Sequence, residues 1–222
     1  MTGLITQRLA EIRQQLPVSV RLIAISKQVS VDAIREAYAA GVRDFGESRV
    51  QEAELKQSQL QLPDITWHLI GHLQSNKARK AVEKFQWIHS LDSLNLAQRL
   101  DEIAAQISRQ PEVCLQVKML PDPNKYGWTV PELLADLPAL DQFQHIKIQG
   151  LMTITPQGLH PSEVLALFQR TVELADQIKQ ENCLNIQMQQ LSMGMSEDYQ
   201  LAVQAGATMI RLGRIIFGER TV

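Results

Sequence analysis

Short apolar runs alternate with amphipathic stretches about eight times along the 222 residues, and that rhythm restricts the chain to a parallel sheet wrapped by helices. The runs expected as strands are Leu22–Ser26, Arg43–Gly46, Thr66–Ile70, Trp87–Ser90, Val113–Met119, Ile148–Thr153, Gln189–Ser192 and Met209–Leu212. Between them, helical periodicity marks Val31–Ala40, Asn76–Lys84, Ser93–Ser108, Ser162–Gln180 and Glu197–Ala205, with weaker signals over Ser48–Gln57 and Pro131–Leu137. An extra helix over Leu4–Leu16 precedes the first strand. Ser30, Ser75, Asp92 and Ser196 are placed as N-caps, and Gly41 and Gly206 as helix terminators. Eight units in this length match a closed (β/α)8 TIM barrel, an α/β fold. An open doubly wound sheet is the alternative, although no Gly-rich dinucleotide fingerprint follows the first strand. No linker divides the chain, so residues 1–222 are expected to form one domain.

A net charge of -2 leaves no basic excess for binding nucleic acid. No apolar run approaches the roughly 20 residues that cross a bilayer, and the N-terminus lacks the apolar core of a signal peptide. Cys114 and Cys183 have no partners at metal-ligand spacing, so no metal site is expected. A soluble cytoplasmic protein in a reducing compartment is the simplest expectation.

In such a barrel the loops after the strands share one face, where active sites gather. Lys27 follows the first strand. At the edge of an apolar pocket its amine would lose its proton readily and could form a Schiff base with an aldehyde, whereas a lysine pointing to solvent is the plainer alternative. Ser192-Met193-Gly194-Met195-Ser196 and Gly213-Arg214 follow the last two strands, where barrels often hold phosphate. An ordinary loop with a capping serine would look the same. Arg211, set among Met209, Ile210 and Leu212, needs a partner, either an anion or heterocycle nitrogen or a structural carboxylate. Together a Schiff-base lysine, a phosphate cradle and a guanidinium describe a site for pyridoxal 5′-phosphate (PLP).

At these residues the chain resembles the pyridoxal phosphate homeostasis proteins. The carrying segments are Ala24-Ile25-Ser26-Lys27, Phe45-Gly46-Glu47-Ser48-Arg49-Val50-Gln51-Glu52 and Trp67-His68-Leu69-Ile70-Gly71-His72-Leu73-Gln74-Ser75-Asn76-Lys77. Further on come Gly150-Leu151-Met152-Thr153, Leu191-Ser192-Met193-Gly194-Met195-Ser196 and Arg211-Leu212-Gly213-Arg214-Ile215-Ile216-Phe217-Gly218. The resemblance implies a single barrel similar to the N-terminal domain of alanine racemase, with PLP joined to Lys27. It implies phosphate contacts from Ser192, Gly213 and Arg214, with Arg211 facing the pyridine nitrogen. Met193 and Ser48 complete the expected cofactor-binding set, Ser48 standing where the family usually has Asn. Gln28-Val29-Ser30 replaces the usual Thr-Lys-Pro, and Lys125 matches a lysine often kept near the pocket. His68 is read as a core histidine rather than a catalytic one. His72 and Asn76 are placed on the functional face, where they order loops.

An arginine at the ring nitrogen leaves that nitrogen unprotonated, which weakens PLP as an electron sink. Racemases with such an arginine add a base from another domain or subunit, and a chain ending at Val222 is not expected to supply one. The expected function is therefore PLP binding for PLP homeostasis, and through it amino-acid and keto-acid balance, without a catalytic reaction. A racemase-like enzyme completed by a partner, and a Schiff-base aldolase without PLP, are the competing readings. The expected partners are PLP and, transiently, PLP-dependent apo-enzymes, with the chain itself a monomer.

Overall fold

Strand β1 (Arg21–Ile25) pairs with β2 (Asp44–Glu47) on one side and with the last strand, β9 (Met209–Leu212), on the other. That second pairing closes the sheet. The protein is seen here as a computed structural model, which describes residues 3–219. The ends of the expected 1–222 domain, residues 1–2 and 220–222, lie outside the described residues. Around the ring the order continues through β3 (Thr66–Leu69), β4 (Trp87–Leu91), β5 (Glu112–Lys118), β7 (Lys147–Met152) and β8 (Ile186–Ser192), every pairing parallel. This is the closed eight-stranded barrel the alternation predicts, not an open sheet.

A ninth strand, β6, is only Trp128–Thr129 and adds to the end of β5 at Val117 and Lys118. No periodicity extends over two residues, so the sequence pattern carried no sign of it.

Helix α1 (Leu4–Gln15) precedes the barrel, and one helix follows each of its strands: α2 (Val31–Ala39), α3 (Val50–Leu60), α4 (Ala78–Lys84), α5 (Leu94–Gln106), α6 (Val130–Leu140), α7 (Pro161–Gln180), α8 (Tyr199–Ala205) and α9 (Arg214–Phe217). Ser30 caps α2 as expected, accepting from the Ala33 N–H. Three other caps differ. Ser93, not Asp92, caps α5, because the Asp92 carboxylate is engaged with His72 at 2.9 Å. Ser75 opens a 3-10 turn, Ser75–Lys77, ahead of α4. Asp198 takes the N-cap position of α8, while Ser196 turns its hydroxyl to the Gly213 N–H.

Most strand residues are buried on both faces, as a parallel barrel demands, Gln187 and Gln189 of β8 being exposed exceptions. Outward-facing side chains join those of the helices in one large apolar layer that includes Leu9, Phe45, Phe85, Leu100 and Phe168. The inside holds a smaller apolar cluster, Ile23, Ile25, Trp87, Cys114, Met152 and Met209. Both cysteines are free, Cys114 buried and Cys183 half-buried. Among the described residues no helix is long and apolar enough to cross a membrane.

Candidate functional site

The carboxyl ends of the strands open into a cavity of about 810 Å3. It gathers Lys27 and Ser48 from the first two strand ends and Arg211, Gly213 and Arg214 from the last. These five sequence-expected residues therefore share one wall-to-wall space although up to 187 positions separate them.

Lys27 stands at the first corner of a tight turn in which Val29 N–H returns to the Ser26 carbonyl at 3.0 Å. The next residue, Gln28, has a left-handed φ of 60°, which helps turn the chain sharply at the strand end. The turn is braced from outside the barrel. Lys56 Nζ on α3 donates to the Ser26 carbonyl at 2.6 Å, to Glu47 Oε1 at 2.8 Å and to Glu52 Oε1 at 2.7 Å. The Ser26 hydroxyl also donates to Glu47 Oε1, at 2.7 Å. Burial raises the Glu47 carboxyl above its ordinary range, against the bonds from Lys56 and Ser26. Ser48 is held close to the third loop, where Gly71 lies so near that a side-chain carbon there would meet the Ser48 carbonyl at 2.3 Å.

At the other side of the mouth, Gly213 packs on the end of β1, within 3.4 Å of Ile25 for any added carbon. Its N–H donates to Ser196 Oγ at 3.4 Å, tying the last two loops together. The Ile216 and Phe217 N–H groups return to the Gly213 carbonyl at 2.9 Å, so the donors that the turn into α9 can offer are those of Arg214 and Ile215. Arg214 itself is paired with Glu197.

Ser192 and Met193 take a different position. Both are fully buried and neither lines the cavity. Ser192 sits beneath the cavity floor, where Arg211, 4% exposed, donates to its Oγ at 2.7 Å, whereas Met193 packs in the apolar layer between the strands and the helices. A second bond runs from Arg211 to the Thr153 carbonyl at 2.9 Å. The bonded partners of this guanidinium are thus a hydroxyl and a carbonyl rather than a carboxylate. Burial pulls its pKa down to about 10, and it still carries its charge at neutral pH.

His68 is the core histidine expected from its strand, and it has a buried companion, His89, that the sequence pattern did not single out. His68 and His89 are both fully buried and bonded to each other at 2.9 Å. Their rings lie on neighbouring strands paired in register, His68 opposite Trp87. Burial lowers both pKa values, so both imidazoles are neutral near pH 7. The available signal was a polar residue in the middle of two consecutive apolar strands. His72 lines the cavity and stacks on Tyr126 with ring centres 3.5 Å apart, while Asn76 does not reach it. Lys125 lines it as well, donating to the Ile154 carbonyl at 3.3 Å.

The family model described as alanine racemase, N-terminal domain, matches residues 2–221. A protein of Synechocystis named pyridoxal phosphate homeostasis protein is 52% identical over 95% of this chain and 96% of its own. One of the same name from Pseudomonas aeruginosa is 41% identical over 92% and 86%. The structure of PipY from Synechococcus elongatus with PLP bound superposes with a TM-score of 0.93 at 56% identity, covering 96% of this chain and all of that one. Alanine racemase of Clostridium difficile shares the fold, with a TM-score of 0.81 at 14% identity over 98% of this chain and 57% of its own.

Proposed function

As a chain that belongs to the pyridoxal phosphate homeostasis family, on the alanine racemase N-terminal-domain fold, this protein, we propose, binds PLP and serves to control its free level. The observation that carries the reading is Arg211, a charged guanidinium buried in the wall of the cavity that also holds Lys27 and Arg214. A buried charge calls for a partner, and an electron-rich ring nitrogen is one that the cavity can admit. The donor set fits the cofactor. Lys27 offers an amine to the aldehyde, Arg214 and the Gly213 turn offer donors to the phosphate, and Ser48 borders the space between. When bound, PLP supplies an aldehyde for amines and a ring that draws electrons from the attached carbon.

Ser196 enters this reading in place of Ser192 as the hydroxyl at the phosphate corner, since it lines the cavity and meets Gly213. Ser192 acts from below as the support of Arg211, while Met193 packs toward the helices. The whole chain is read as one cofactor-binding domain. It acts as a cytoplasmic monomer that passes PLP transiently to apo-enzymes. It turns over no substrate, a reading supported by the homeostasis name of its relatives and by an arginine at the ring nitrogen.

Purified protein mixed with PLP is expected to show a yellow absorbance band that borohydride abolishes, with the reduced adduct mapped by mass to Lys27. An adduct on another lysine, or no band, overturns the reading. Amino-acid racemisation faster than about 1 per second, the low end of ordinary turnover, would replace the carrier reading by an enzyme.

A further inference from the structure

A continuous polar file crosses the interior of the barrel. Asp44 opens β2 at the amino-terminal mouth, and its Oδ1 lies 2.9 Å from His68 Nε2. His68 Nδ1 lies 2.9 Å from His89 Nε2, and His89 Nδ1 lies 2.7 Å from Ser192 Oγ. Arg211 Nη1 then donates to that same oxygen at 2.7 Å, and the guanidinium faces the cavity at the other mouth. Three interior side chains from three strands thus connect a partly exposed carboxylate to the buried cation of the site.

We propose that this file is a one-way hydrogen-bond chain that orients Arg211, making His68 and His89 positioning residues for the ligand. The inference rests on the cofactor reading above for what Arg211 meets, but not for the chain itself.

The direction follows from the two ends. A guanidinium can only donate and an ionised carboxylate can only accept. Ser192 accepts from Arg211, so its own proton is free to go to His89 Nδ1. His89 then carries its proton on Nε2 and gives it to His68 Nδ1. His68 carries its proton on Nε2 and gives it to Asp44. Every link has one donor and one acceptor, and both rings are neutral, as their burial demands. The opposite direction would set a bare nitrogen of His68 against the Asp44 carboxylate.

One added proton reverses the file. A charged His68 would donate from both nitrogens, His89 would turn its proton toward Ser192, and the serine hydroxyl would be left without an acceptor. The charged groups that bear on this proton are Asp44 on β2, Arg21 on β1 and Arg211 on β9, with Trp87 stacked against His68. Arg21, 3.9 Å from Asp44 and over the Trp87 ring, opposes it. The neutral chain therefore holds near pH 7, and it anchors the inner edge of Arg211 through Ser192 while the Thr153 carbonyl anchors its other nitrogen.

The test pairs spectroscopy with two variants. Histidine 15N NMR of the wild-type protein is expected to show His68 and His89 as neutral Nε2–H tautomers. His89→Gln keeps an acceptor and a donor at about the positions of the two ring nitrogens, whereas His89→Phe fills the space with neither. PLP is expected to bind His89→Gln within about threefold of wild type and His89→Phe about tenfold or more weakly, the scale of one hydrogen bond to a charged group. Circular dichroism melts establish that each variant is folded. An Nδ1–H tautomer on either histidine overturns the proposal, and so does a folded His89→Phe that binds PLP as tightly as wild type. If His89→Phe does not fold, the tautomer spectrum decides alone. A wild-type protein that binds no PLP sinks the cofactor reading instead and leaves the tautomers still to be read.

Discussion

Lys56 Nζ lies 2.8 Å from Glu47 Oε1 in a site where the glutamate is fully buried and the lysine nearly so. The pair sits between β2 and α3 and also grips the Ser26 carbonyl, one residue before Lys27. It therefore links helix packing to the geometry of the proposed attachment point. Among the described residues Glu47 Oε2 is a buried oxygen without a hydrogen-bond partner, so the carboxylate depends heavily on Lys56 and Ser26.

Removing one member of such a pair strands the other. Lys56→Met is expected to lower stability by about 3–5 kcal/mol, read from urea denaturation. Adding Glu47→Gln should return part of that loss, because the stranded charge is gone. A single variant within 1 kcal/mol of wild type, on the order of an exposed pair, would show that the pair is solvated rather than buried.

The phosphate corner can be tested by comparing two vitamers. Arg214→Ala is expected to weaken PLP binding by about tenfold or more, the scale of a charge-assisted bond, while pyridoxal, which lacks the phosphate, binds as before. Equal losses for both ligands, measured by fluorescence titration, would move the phosphate elsewhere.

Acid should destabilise the fold through the barrel histidines. Burial lowers the pKa of His68 and His89 below 6.5, so below that value the unfolded chain binds more protons than the folded one. Their contribution is complete above pH 6.5 and is lost as pH falls, at no more than about 1.4 kcal/mol per pH unit for each. Glu47 works in the opposite sense, since its raised pKa makes stability fall as pH climbs from 4.5. A comparison of His89→Gln with wild type cancels that term. The variant should lose less stability between pH 6.5 and 5.5, and parallel curves would contradict the claim.

Thiol reactivity should separate the two cysteines. Burial pushes the Cys114 thiol up to about 12 and removes it from solvent, whereas Cys183, also raised by partial burial, is half-exposed. Iodoacetamide at pH 8 is expected to label Cys183 in the native protein, and Cys114 only as fast as the barrel unfolds. Rapid labelling of Cys114 without unfolding would mean that the interior opens locally.

The strand-to-loop rhythm made most of the scaffold legible. Seven of the eight expected strands differ by a residue or a few at one end or both, and Met209–Leu212 matches at both ends. The longest miss lay in β8, which begins at Ile186 rather than Gln189, because Gln187 and Gln189 alternate outward and interrupt the apolar run. Arg211, inside β9, stood out as a charge among apolar residues, whereas Lys27, Ser48, Gly213 and Arg214 were legible as residues of the mouth for a simple reason. In a parallel barrel, residues just beyond the strands must share one mouth, so finding the strand ends found the cavity.

Local order along the chain determined the number of barrel strands, their direction and the face on which the loops collect, because each depends on periodicity and turn residues within a few positions. Closure of the barrel decided which side chains meet inside it. Asp44, His68, His89, Ser192 and Arg211 become neighbours only when β2, β3, β4, β8 and β9 are wound into one ring with a set register. That same closure put Ser192 below the floor and Ser196 at the wall, since a strand residue inside a barrel faces the core while a loop residue beyond it faces the mouth.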